Sequence, residues 1–464
     1  MAILTPFSFR SASIFWVFVA WIVVLFLTGG SARGDISSLL VLRPAAILVV
    51  AALLFTARRN DLADHRIVLA LMALAIALVA LHLVPLPPAM WQALPMRELI
   101  ARIDNAVGLG DVWRPLTIAP AATWNAFYAL MIPLSTILFM IRFGPDRWPR
   151  LVPVFLALGL ACMLLGLFQI TAVSADSVFY PYRVSNFGAP VGLFANRNHT
   201  GAFLATILVW LAVFGSFRGP DDGGYRLRVW IMALAIPVVL FFLLLLGSRA
   251  GLLLGVIGLL SMPLLHVGMA KRSAGRRLGM AGMMLVGALA VFTVGLLASR
   301  AESLNRLLGE DAGENYRITT FFPILRLAID YLPLGSGIGS FVTAYQRYEP
   351  LEKLEPRYLN HAHNDALELL LTGGLPAMAL IAIAAFVLIR GTALSFGQDL
   401  RNTSLGLLKK AASVTLCLFA LASIVDYPLR TPALLGFAAM MAVMVAYAPG
   451  RARHKRSRTG PRAA

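Results

Sequence analysis

Residues 361–365 read HAHND, which puts two histidines, an asparagine and an aspartate directly ahead of a long apolar run. Such groups are costly beside lipid unless they face a polar cavity, so the segment marks a site. A neutral imidazole is the usual general base at about pH 7, and His363 and His361 are the candidates for taking a proton from a hydroxyl. Two arginine-bearing segments precede other apolar runs in the same way. Residues 195–201, ANRNHTG, carry Arg197, Asn198 and His199, and residues 247–251, GSRAG, carry Arg249. Arg183 stands just ahead of the first, and Arg317 lies in the long segment before HAHND. A guanidinium keeps its charge and grips phosphate oxygens through a planar fork. Arginines around an imidazole base suit glycosyl transfer from a lipid diphosphate, with the diphosphate held as leaving group while histidine deprotonates the attacking hydroxyl.

Plainer roles fit the same residues. Asn196 or Asn198 can cap the helix that follows, and so can Asn364 or Asp365. Arg249 is either an interfacial anchor or an anion ligand. His361 and His363 have the HxH spacing of a metal pair, yet a third ligand would have to come from Asp365, Glu368 or another loop and no spacing announces it, so the expectation is no metal and no cofactor.

The elements that must position these residues are membrane helices. The 464-residue chain is 59% hydrophobic and 13% charged, with a mean hydropathy of +0.79, whereas soluble domains carry about a quarter charged residues. A water-soluble enzyme is excluded. Twelve apolar blocks fall at 14–28, 39–57, 67–86, 124–142, 151–170, 200–217, 229–246, 252–266, 280–298, 366–389, 411–425 and 432–447, near the length that spans a hydrocarbon core of roughly 30 Å. The net charge of +18 resides largely in alternate connections, among them 218–228, 271–277, 401–410 and the tail 451–462. That pattern sets orientation and argues against nucleic acid as partner. Both termini are therefore expected in the cytoplasm and both long connections, 87–123 and 299–365, outside. A cleaved signal peptide is the alternative for the first block, because Arg10 precedes it and Gly30, Ser31 and Ala32 follow. Cys162 and Cys417 both lie in apolar blocks, which leaves no material for a disulfide framework.

The chain thus divides into an N-terminal membrane bundle of nine spans (1–298, with outer loop 87–123), a long outer loop with short helices (299–365), three C-terminal spans (366–448) and a basic tail (449–464). In the first outer loop, residues 97–107 set Leu99, Ile100, Ile103 and Val107 on one helical face. That helix either lies flat on the membrane surface or packs by its apolar face. In the second, the spacing predicts a helix over 315–332, followed by a glycine-rich turn, LGSGIGS, at 334–340. The turn follows no strand, so a nucleotide-binding reading is weak.

These segments together resemble the O-antigen ligase and polymerase superfamily of bacterial envelope glycosyltransferases, from about residue 81 to 388. Residues 82–95 and 113–124 are similar to its first outer loop, ANRNHTG and GSRAG to its two arginine motifs, and 316–345 to its long-loop segment. His363 and Asn364, followed by nine residues and Gly374, match the ligase histidine motif; the match singles out His363 over His361. Two positions depart from it: Ala377 replaces the second glycine, and Thr372 stands where many members carry glutamate.

The resemblance implies an all-α, GT-C-like membrane fold of about twelve helices in the bacterial inner membrane, with a periplasm-facing site and a long periplasmic loop before the tenth helix. It also implies an undecaprenyl-diphosphate-linked glycan donor and metal-independent inverting transfer to a lipid A core or a growing polysaccharide. His363, rivalled by His361, would be the base, with Arg197, Arg249, Arg317 and Arg183 on the diphosphate and Asn198, His199, Asn364 and Asp365 in support. A lipid-linked glycan transporter or flippase is the alternative. Transporters tend to show repeats and broken or ionisable helices near the midplane, and the sequence displays neither. Ligase and polymerase differ in acceptor, which no single residue reads.

Overall fold

The computed structural model describes residues 11–57, 62–174, 176–216, 223–265, 312–349, 358–397, 400 and 403–448, without the side chains of residues 11–12 and 312–318. The expected ninth span, 280–298, the basic tail and parts of the long loop lie outside the described residues.

The described residues are mostly helical. The helices are α1 (Ser11–Thr28), α2 (Leu39–Phe55), α3 (Arg66–His82), α4 (Glu98–Ala106), α5 (Pro120–Ala129), α6 (Met131–Phe143), α7 (Leu151–Ile170) and α8 (Arg197–Ser216). They continue as α9 (Tyr225–Leu245), α10 (Arg249–Leu265), α11 (Ala312–Asp330), α12 (Phe341–Gln346), α13 (Asp365–Ser395), α14 (Ser404–Val425) and α15 (Pro432–Ala446). Among the described residues, six helices are long and apolar enough to cross a membrane: Pro120–Phe143, Pro145–Ile170, α8, α9, α13 and α14. Five shorter apolar helices, of 10–17 residues, accompany them.

Inside and outside of this bundle are equally apolar. On α9, Leu227, Trp230, Leu234, Val238 and Phe241 form an exposed stripe, an arrangement that lipid satisfies and water does not. At the centre, Phe437 of α15 meets Phe155, Phe203 and Phe419 with ring centroids 4.9, 5.7 and 6.2 Å away. α8 is buried along nearly its whole length. It presses against α10 at Gly201 and Gly251, where a β-carbon on either would fall within 2.8 Å of the other's Cα. These are the last glycines of ANRNHTG and GSRAG, so the two motifs share a helix contact that only glycine permits.

The glycine-rich turn has a structural task. α13 breaks at Gly374, whose φ of 59° and ψ of −153° leave the helical region, and the LGSGIGS segment fills the break. Ser336 N and Gly337 N donate to the freed carbonyls of Leu371 and Thr372 at 2.9 and 2.8 Å, and Leu375 N donates to Pro333 O at 2.8 Å. Ile338 N donates to His82 Nδ1 at 3.0 Å and Thr123 Oγ1 to Ile338 O at 2.8 Å. Irregular backbone survives beside a membrane helix because every one of these groups has a partner.

Three expectations are corrected. α4 packs only part of its apolar face: Leu99 and Ile100 are half-buried and Ile103 and Val107 exposed, while Arg97 and Asp104 are buried, Arg97 donating to Leu116 O and Asp104 accepting from Arg114. Those two partners hold Arg97 and Asp104 inward, while Glu98, Arg102 and Asn105 stay exposed. Burial pushes the Arg97 guanidinium down to about 10. Second, Lys409 and Lys410 belong to α14 rather than to the connection 401–410. Both are buried, and Lys409 Nζ donates to Tyr447 O at 2.7 Å, satisfying a carbonyl past the end of α15. Third, α13 is a broken helix, which periodicity alone did not register.

Candidate active site

The HAHND segment enters α13 through Asn364, whose Oδ1 accepts from Leu367 N at 2.9 Å, so Asn364 is the helix cap. Asn196 does the same for α8, its Oδ1 accepting from Asn198 N at 2.8 Å. With those caps assigned, Asn198, His199, Asp365 and the two histidines keep their side chains for other work.

Their partners come from the short connection between α14 and α15, residues 426–430, DYPLR. The Tyr427 ring lies among three imidazoles, with centroids 4.4 Å from His361, 4.8 Å from His363 and 5.3 Å from His199. Asp426 sits beneath it, 2% exposed. Its Oδ2 accepts from Asn198 Nδ2 at 2.6 Å, and its Oδ1 accepts from Tyr427 N at 2.9 Å and lies 3.3 Å from His363 Nδ1. Asn198 Oδ1 accepts from Ser248 Oγ at 2.7 Å, and Ser248 Oγ accepts from Gly251 N at 3.0 Å. A continuous polar chain therefore joins GSRAG, ANRNHTG and HAHND through Asp426.

A second carboxylate relay backs His361. Glu368, one turn into α13 and 2% exposed, holds His361 Nδ1 at 3.0 Å, accepts from Ala362 N at 3.0 Å and lies 3.4 Å from an Arg430 NH2. Arg430 Nε donates to Asp365 Oδ1 at 3.0 Å, and Ser423 Oγ donates to Asp365 Oδ2 at 2.8 Å. Burial works against the Arg430 charge, but Glu368 and Asp365 outweigh it and hold the guanidinium above its ordinary value. With Glu368 on Nδ1, the His361 ring has Nε2 left as the acceptor, the arrangement a general base requires, whereas Asp426 lies 3.3 Å from His363 Nδ1 without a hydrogen bond to it. His363 adopts the left-handed conformation, φ 52°, which is uncommon for a residue with a side chain and lets both rings reach Tyr427 two positions apart.

Two cavities adjoin this cluster: His361 lines one and His199 the other, while His363 is among the lining residues of neither. One, about 590 Å³, is lined by Arg183, Asn186, Asn196, His199 and Tyr427. The other, about 640 Å³, is lined by His361, Asp365, Arg430 and a run of apolar side chains. Ser31, Ala32, Arg33, Tyr358 and Asn360 line both. Arg33 NH2 donates to Tyr358 OH at 3.2 Å and to Asp35 Oδ2 at 2.7 Å, so the Arg33–Tyr358 contact stands between the two spaces.

The structure thus gathers His361, His363, Asn198, His199, Asn364 and Asp365 into one cluster and sets Arg183 on a cavity wall. Arg197 is half-buried at the first turn of α8, its backbone N donating to Asn186 Oδ1 at 2.9 Å; Arg249 is exposed at the first turn of α10. Neither is among the residues lining the two cavities. The side chain of Arg317 lies outside the described residues. Sequence reasoning missed Asp426, Tyr427, Arg430 and Arg33, and met Glu368 only as a possible third metal ligand. DYPLR was legible as an aspartate, tyrosine and arginine between two apolar blocks; Glu368 gave no signal except its place one turn after HAHND. Among the described residues no group of three or more His, Cys, Asp or Glu side chains is arranged to hold a metal ion.

Residues 235–382 match the O-antigen ligase family model. The match covers about a third of the chain and supports the superfamily resemblance of the motifs. The matched stretch includes GSRAG, the glycine-rich turn and HAHND, and leaves out ANRNHTG and DYPLR. A search of the curated proteins finds no match.

Proposed function

We propose that this membrane protein is a glycosyltransferase that moves a glycan from an undecaprenyl-diphosphate carrier to a hydroxyl acceptor, either a lipid A core or a growing polysaccharide. The family match supports a membrane glycan-transfer enzyme in general. The observation that carries the finer reading is the polar chain that links both arginine motifs to the histidine motif at Asp426 and Tyr427. In the reaction, His363 Nε2 takes the proton of the acceptor hydroxyl, with Asp426 stabilising the imidazolium. The hydroxyl oxygen forms the new bond to the anomeric carbon from the face opposite the diphosphate, and configuration inverts. The bond from that carbon to the diphosphate oxygen breaks, and its electron pair leaves with the lipid diphosphate. Arg183, Arg197, Arg249 and Arg317 bind the diphosphate charge. Asn198, His199, Asn364 and Asp365 support the base, and no metal or cofactor takes part. Glu368 supplies, one turn nearer the histidines, the carboxylate that Thr372 lacks.

A flippase would be favoured by the break in α13, but the carbonyls freed there are bonded by the glycine-rich turn rather than left to line a pathway. The glycan profile of a deletion strain tests the reading. Polymer accumulating without attachment identifies a ligase and single repeat units identify a polymerase; a complete, attached glycan in the deletion strain would overturn both. The site should face the periplasm of the inner membrane. A reporter fused after Lys455 should read cytoplasmic, and a cysteine placed at Glu310 should react with an impermeant reagent on intact cells. The opposite result at both would place the site on the wrong side for an outer-leaflet donor.

A further inference from the structure

The larger cavity contains a charge that the proposed reaction does not use. It runs as a groove from His361 between α2, α3, α5, α13 and α15, walled by small and apolar side chains such as Ala75, Leu78, Ala126, Ala129, Leu380 and Ala384. Three arginines and two aspartates line it. Arg33 is taken by Asp35 at 2.7 Å and Arg430 by Asp365 at 3.0 Å. Arg43, the fifth residue of α2, is left. Among the described residues no carboxylate pairs with it. Its NH1 donates to the Asn125 amide oxygen at 2.9 Å, which turns the guanidinium across to α5 rather than toward the end of its own helix. Its Nε is buried without a hydrogen-bond partner.

Among the described residues the partner of this half-buried guanidinium is a neutral amide, and in a groove walled largely by hydrocarbon side chains an anion would complete it. The anion must bring an apolar body with it, because the walls on both sides of Arg43 offer a tail hydrophobic contact and offer a free ion nothing. We infer that this groove binds a lipid by its phosphate, with Arg43 on the phosphate oxygens and the hydrocarbon chain along α3 and α13, and that this lipid is the acceptor. The second part rests on the transferase reading: Arg183, one of the arginines given to the donor diphosphate, lines the other cavity with His199, and His361 lines this one. Arg43 and Asn125 are then specificity residues for an acceptor that carries phosphate on a lipid.

Photolabelling of the purified full-length protein in nanodiscs tests the site without requiring turnover. The probe is phosphatidic acid with a diazirine in one acyl chain; the matched diacylglycerol probe has the same chains and no phosphate. Phosphatidic acid should label peptides from α3 and α13 about tenfold more than diacylglycerol, and Arg43→Gln should reduce that labelling to the diacylglycerol level, as loss of a charge-assisted contact predicts. Ala126→Trp keeps the charge but fills the groove, and should lose the label while unfolding at the wild-type temperature. Equal labelling by the two probes, full labelling of Arg43→Gln, or displacement of the probe by inorganic phosphate at equal concentration would overturn the lipid site. The acceptor assignment is read separately in a transfer assay, where Arg43→Gln should raise the acceptor KM about tenfold or more and leave the donor KM in place. A rise in the donor KM instead overturns that assignment while the labelling result stands. Failure of the wild type to transfer glycan would remove the transferase reading and leave the lipid site intact.

Discussion

His363→Ala should lower glycan transfer by about 10²- to 10⁴-fold, the contribution of a positioned general base. In cells at normal expression that amounts to loss of product. The substitution removes the ring that stands 3.3 Å from Asp426 and 4.8 Å from the Tyr427 ring, and its alanine is poorly suited to the positive φ of 52°. His363→Gln, which retains a polar side chain of similar length, separates chemistry from packing. It should fold and reach the membrane at wild-type levels and remain as inactive as the alanine variant. His361→Ala should leave measurable transfer, because the carboxylate that orients His361 is a different one, Glu368. A fully active His363→Ala with an inactive His361→Ala would pass the base to the His361–Glu368 pair. Product formation in membranes supplied with lipid-linked glycan is the measurement.

Arg430→Leu should destabilise the protein by about 3–5 kcal/mol, the usual result of removing one partner from a buried ion cluster. Glu368 is 2% exposed at its side chain and Asp365 12%, and Arg430 is the cation both share. Without it, two carboxylates at the start of one helix repel each other in a site that water hardly reaches. Thermal unfolding in detergent reads the loss. The double variant Arg430→Leu with Glu368→Gln should recover part of it, with a coupling of about 0.5–3 kcal/mol between neighbours that share a contact. An Arg430→Leu protein as stable as the wild type would mean that the cluster contributes nothing to the fold.

Both variants lie where three distant segments meet, and the sequence disclosed those segments unequally. HAHND, ANRNHTG and GSRAG each stand out because polar residues are rare in a chain this apolar and sit at the ends of its blocks. The caps at Asn364 and Asn196 were legible for the same reason, since capping depends only on the next three residues. Glu368 was not, because a carboxylate one turn inside an apolar helix has no meaning until its partner is known, and Arg430 is separated from it by 62 positions. The break at Gly374 escaped notice although Gly373 and Gly374 are paired two residues ahead of Pro376, because the apolar run continues on both sides of them. It becomes a break only when another segment, here LGSGIGS, arrives to bond the carbonyls it frees.

What the sequence by itself determined is a membrane-embedded helical chain with its polar groups at the helix mouths, and a set of motifs that names a chemistry. Hydrophobic length and local capping act within a helix or a few residues of its end, so they can be read along the chain. Tertiary structure alone decided that Asp426 joins the motifs, that Glu368 and Arg430 stand behind His361, and that Arg43 faces a groove whose two carboxylates, Asp35 and Asp365, are held by Arg33 and Arg430. Those outcomes depend on which helices pack together, as α8 and α10 do through Gly201 and Gly251. An ion pair or hydrogen bond in a low-dielectric interior is fixed by distance in space, and distance in sequence carries no information about it.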